Sequence, residues 1–118
     1  MVRLKKFNLG DEIKTREGAW KSPFIVEVIY RGYIVAVNRK SSKNPVFLFI
    51  NTYSREVFYG SSRFQKYGVD NKSSIKEFID NIIKHEIVLE NDTNIPLELI
   101  LSEEAFEKNE RREQVHYK

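Results

Sequence analysis

The chain has 118 residues, no cysteine and a formal net charge of +3. That length suits one domain with its own core, and the missing thiols exclude disulfides, thiolate metal sites and a cysteine nucleophile. No apolar run is long enough to span a membrane, and residues 1–8 lack the apolar stretch of a secretory signal, so a soluble cytoplasmic domain over 1–118 is expected.

The charge is unevenly spread. Residues 1–72 carry 14 Lys and Arg against 6 Asp and Glu, a net of +8, whereas residues 73–118 carry 6 against 11, a net of −5. Such asymmetry bears on partners rather than on fold. Twelve Ile, twelve Lys and nine Asn beside three Ala are the skew of A+T-rich coding, which points to a low-G+C bacterium, one of its mobile elements or a phage.

In chain order, residues 10–16 read as a short first strand. Residues 24–39 read as a hairpin about an Arg31-Gly32 turn, with Gly32 supplying the positive φ. The expected pairs are Tyr30 with Tyr33, Ile29 with Ile34, Val28 with Val35, Glu27 with Ala36 and Val26 with Val37. That register places Phe24, Val26, Val28, Tyr30, Tyr33, Val35 and Val37 on one apolar face. A polar loop over 40–44 ends at Pro45. A second hairpin follows, with strands at 46–51 and 56–60, Phe49 opposite Phe58 and Ile50 opposite Val57. Both faces of these strands are partly apolar, so a second layer must cover the sheet.

Residues 61–72 connect to the helical part. Ser74 and Glu77 have the spacing of a capping box, and Ile75, Phe78, Ile79, Ile82 and Ile83 mark one face of a helix over 74–87. Residues 97–101 suit either a strand or a first helical turn. Ser102 followed by Glu103 and Glu104 suggests a further helix over 103–114. The expected fold is α+β: a five-stranded antiparallel, barrel-like sheet with two helices packed on it. The expected core is Phe24, Val26, Val28, Val35, Val37, Leu48, Ile50, Val57, Phe78, Ile79, Ile82 and Ile83. Burial after residue 102 rests on Ala105 and Phe106, so removing 103–118 is expected to leave a folded β domain. The runs Lys43-Asn44-Pro45-Val46-Phe47-Leu48-Phe49 and Leu9-Gly10-Asp11-Glu12-Ile13 resemble strand openings of SH3-like and PUA-like barrels. The resemblance covers the β half, implies a small barrel and carries no function with it.

No catalytic or cofactor signature is present. Gly10, Gly18, Gly32, Gly60 and Gly68 never approach a phosphate-cradling spacing, and His85 and His116 form no metal-binding pair. The chain therefore reads as a non-enzymatic binding protein without cofactor or metal. Its basic half suits DNA or RNA, with phosphate contacts at Lys40, Lys43, Arg55, Arg63 and Lys66 and base stacking on Tyr53 and Phe64. Residues 63–67 also read as a turn that packs the helix on the sheet. In the alternative, Glu103, Glu104, Glu107 and Glu110 engage a basic protein, as in an inhibitor or accessory protein of a mobile element. A third arrangement lays the acidic half against the basic half and cancels its charge.

Overall fold

Two strands that are apolar at nearly every position dictate the architecture. Tyr33–Asn38 and Val46–Asn51 are buried on both faces, so each must sit mid-sheet with a layer above and below. A computed structural model describes residues 3–16, 23–40, 45–85 and 95–107, without the side chains of Ser62, Arg63 and His85. Among these residues the strands are β1 (Glu12–Ile13), β2 (Phe24–Tyr30), β3 (Tyr33–Asn38), β4 (Val46–Asn51), β5 (Glu56–Gly60) and β6 (Ile95–Pro96). They form one antiparallel sheet in sequence order, with six strands where five are expected from the sequence. The extra strand is the start of the 95–101 segment, where Ile95 pairs with Val57 before the chain turns into the short helix α3 (Leu97–Ile100).

The sheet curls into a half-barrel. Thr15, just past β1, bridges to Leu101, and Ser102 N donates to Lys14 O at 2.9 Å, so the two margins of the sheet approach each other. Inside the curl lie Ile13, Phe24, Val26, Ile34, Ala36, Leu48, Ile50 and Val57, closed off by Phe7, Leu97, Leu101, Ala105 and Phe106. On the other face Val28, Val35, Val37, Phe47, Phe49 and Phe58 pack beneath α1 (Ser62–Gln65) and α2 (Lys72–His85). Among the described residues no helix is long and apolar enough to cross a membrane.

The second hairpin has the expected register, Phe49 against Phe58 and Ile50 against Val57. The first departs from it below the turn. Tyr30–Tyr33, Ile29–Ile34 and Val28–Val35 pair as expected, but Val26 then opposes Ala36 and Ile25 opposes Val37. Glu27 is the extra residue of a β-bulge. A slip of one residue exchanges the faces of a strand, so Phe24 and Val26 belong to the inner core while Val28 faces α2. Arg39 anchors the bulge by donating from Nε and Nη2 to the two Glu27 carboxylate oxygens at 2.8 and 3.0 Å.

The helices begin differently from expectation, and residues 86 and 87 of the expected first helix lie outside the described residues. Helix α2 starts at Lys72, and its capping box is Asn71 with Ser74. Ser74 N donates to Asn71 Oδ1 and Asn71 N donates to Ser74 Oγ, both at 3.0 Å, so Ser74 faces back toward the cap and not forward toward Glu77. Of the expected core residues, Ile82 is half-buried and Ile83 is exposed at the open side of α2. Among the described residues, Ser102 is followed by a 3-10 turn, Glu103–Ala105, and then by extended Phe106 bridged to Leu4. The inner core needs Ala105 and Phe106 on one side, and an extended Phe106 delivers it; residues 108–114 of the expected helix lie outside the described residues. Lys5 N donates to Ala105 O and Glu107 N to Arg3 O, each at 2.8 Å, so this segment is built into the core and is not a dispensable appendage.

Candidate nucleic-acid interface

The expected phosphate contacts and stacking residues separate to the two ends of the sheet. The β3–β4 ladder runs from Asn38 opposite Val46 to Tyr33 opposite Asn51. Five residue steps put these ends roughly 17 Å apart. Lys40 and Lys66 are exposed at the first end, beyond β3 and α1. Arg63 lies on α1 there, its side chain outside the described residues, as is all of Lys43. Tyr53 and Arg55 lie at the opposite end, in the turn between β4 and β5.

Phe64 is not available to a base. It is fully buried, with ring centroids 4.8 Å from Phe49 and 5.7 Å from both Phe47 and Phe78. Residues 63–67 thus act as the turn that packs α2 on the sheet, the second of the two readings of that segment.

At the turn end the structure assembles a site from parts far apart in sequence. The N-terminal segment 3–7 is bridged to Phe106 at Leu4, with Phe7 buried in the inner core and Lys5 and Lys6 exposed. It crosses the hairpin tips because its backbone is tied to Ala105 and because Asn8 N donates to Asp11 Oδ2 at 2.7 Å where the chain enters β1. Between this segment and the tips lies an open groove of about 430 Å³. Arg3, Lys5, Lys6 and Arg55 line it with Ile29, Ile34, Gly32 and Thr52, and no carboxylate is among its lining residues. Arg3, Lys5 and Lys6 stand out in sequence only as members of a dispersed basic set. Nothing in the local pattern of residues 3–7 says what lies across that segment.

The tips are rigid. Thr52 N and Oγ1 both donate to Gly32 O, at 2.9 and 2.7 Å, which locks one hairpin tip onto the other. Asn51 Oδ1 accepts from Tyr53 N at 2.9 Å and from Ser54 N at 3.1 Å. Tyr53 projects from this turn with 83% of its surface exposed.

Two carboxylates reach the groove's arginines from outside it. Glu98 of α3 forms an ion pair with Arg55, and that bond holds the Glu98 carboxyl below the usual carboxylate range. Glu107 lies 3.8 Å from Arg3. Of the expected partner-binding acids, Glu104 also pairs within the chain, 3.5 Å from Lys14, whereas Glu103 is exposed and Glu110 lies outside the described residues. The acidic part thus lies against the basic part at several points, as in the third arrangement. Among the described residues no three His, Asp or Glu side chains gather as metal ligands. Compared with protein-family models, with curated proteins and with solved structures, the chain matches none.

Proposed function

We propose that this is a non-enzymatic nucleic-acid-binding domain of the small-barrel kind, and that the groove at the hairpin tips holds the sugar–phosphate backbone. One observation carries the reading: Arg3, Lys5, Lys6 and Arg55 line a single open groove whose lining, among the described residues, includes no carboxylate. Cations gathered in a groove neutralise successive phosphates and release the counterions condensed on them, a gain independent of sequence and sensitive to salt. Lys5 and Lys6 matter most, because among the described residues neither has a carboxylate partner within the chain. The alternative, a basic protein bound by Glu103, Glu104, Glu107 and Glu110, has less support. Glu104 and Glu107 already face cations of their own chain.

Fluorescence anisotropy of a labelled oligonucleotide at low salt tests the reading. The double variant Lys5→Glu/Lys6→Glu should weaken binding to every sequence alike and lower the slope of log affinity against log salt by roughly 1.5–2. Absence of binding by the wild-type protein at low salt would sink the reading, as would an unaltered affinity in the variant.

A further inference from the structure

We infer that the groove's ligand is single-stranded, with an unpaired base stacked on Tyr53, and that Gly32 is the residue that positions this ring. The inference rests on the phosphate-binding reading above and adds the class of strand. Tyr53 is the most exposed large side chain of apolar character among the described residues. Solvent exposure alone would mean little, but this ring has a built seat. A Cβ placed on Gly32 would fall 2.2 Å from Tyr53 Cε2 and 2.7 Å from Cδ2, so the ring occupies space that any other residue would fill. Gly32 also has φ +85°, a conformation that residues with a Cβ rarely adopt.

The seat is fixed as well as empty. The carbonyl of Gly32 accepts both bonds from Thr52, the residue next to Tyr53, and Asn51 Oδ1 holds the Tyr53 amide. The ring is thus braced on Gly32, and its chain is tied through Thr52 to the same residue. Gly32, Thr52 and Arg55 line the groove, so the ring, though not itself part of that lining, lies over one of the groove's residues and between two others in sequence. An exposed aromatic with a built seat next to a cationic groove matches a strand whose bases are free to leave the stack. Duplex bases are already stacked on one another and offer only their edges, so a duplex would use the groove and leave the ring idle.

Three labelled ligands of equal length separate the contributions: a mixed-sequence single strand, an abasic strand keeping only sugar and phosphate, and a duplex. Wild-type protein should prefer the base-bearing single strand to the abasic one by roughly tenfold. Tyr53→Ala should erase that preference while leaving abasic affinity unchanged, and Tyr53→Phe should keep it. Gly32→Ala, checked for a native melting curve, should behave as Tyr53→Ala because the ring loses its seat. If Gly32→Ala does not fold, the two Tyr53 variants decide. If Lys5→Glu/Lys6→Glu abolishes binding while Tyr53→Ala treats all three ligands as wild type does, the phosphate reading stands and this inference falls. Equal loss on abasic and base-bearing strands in Tyr53→Ala would overturn it too. If no ligand binds, both fall.

Discussion

Arg31 and Arg55 are the two residues other than glycine with positive φ among the described residues, +48° and +62°, and both sit at hairpin tips. A Cβ makes that conformation unfavourable, and in each case a carboxylate from another element holds the side chain. Arg31 Nη1 donates to Asp80 of α2 at 2.8 Å, and Arg55 pairs with Glu98 of α3. Tyr30 adds its hydroxyl to Asp80, at 2.9 and 3.1 Å from the two carboxylate oxygens. The bonds from Arg31 and then Tyr30 hold the Asp80 carboxyl below its ordinary range, and the same contact raises the Tyr30 hydroxyl. A carboxyl whose folded-state pKa lies below its unfolded value stabilises the fold at every pH above the unfolded value. That contribution is lost as pH falls through the folded value. Asp80→Asn should therefore melt below wild type near neutral pH, with the gap closing once pH drops below about 4. Thermal unfolding across that range reads the outcome directly; a gap indifferent to pH would show that the contact does not depend on the charge.

At the level of elements, what could be read from the sequence depended on whether a pattern had one solution. The tip of the first hairpin and all of the second were legible because a glycine or an asparagine fixed each turn and the pairs followed. The bulge at Glu27 was not. Phe24-Ile25-Val26-Glu27-Val28-Ile29-Tyr30 is apolar at both parities, so sliding by one residue leaves an equally plausible strand. Helix α2 was legible through Ile75, Phe78 and Ile79, all buried against the outer face. Its start was misplaced because Ser74 satisfies two capping patterns and only the one with Asn71 is made. Asn71→Ala should cost about 1 kcal/mol in denaturant unfolding, the usual effect of losing a cap. Ile79→Asp should abolish the cooperative transition altogether, since the carboxylate would be buried among aromatic rings without a partner. A wild-type melt in that variant would mean that α2 does not cover the sheet.

Across the whole molecule, the candidate site was half legible. Tyr53 and Arg55 follow from the turn they occupy, but Lys5 and Lys6 reach them only because residues 3–7 and 105–107 meet over the inner core. No local pattern encodes that meeting. The same closure explains the division of charge along the chain. Arg3, Lys14, Arg31 and Arg55 each face a carboxylate from residues 80–107, so much of the asymmetry is folded back on itself.

The contacts from Glu98 and Glu107 to the groove's arginines make these carboxylates resident anions, competing with any phosphate that enters. A phosphate that takes over the Arg55 Nη2 donor displaces Glu98, and the freed carboxylate then gathers a cation from solution. That uptake offsets one cation released by the nucleic acid, so the groove should respond to salt less steeply than its four cations suggest. Glu98→Gln removes the competitor. It should tighten oligonucleotide binding and steepen its salt dependence, whereas weaker binding in this variant would show that Glu98 aims Arg55 at the ligand. Because Arg55 keeps the Glu98 carboxyl ionised below the ordinary carboxylate range, this competition persists throughout neutral and mildly acidic solution. If the proposed binding holds, the domain would thereby hold nucleic acid loosely and release it readily.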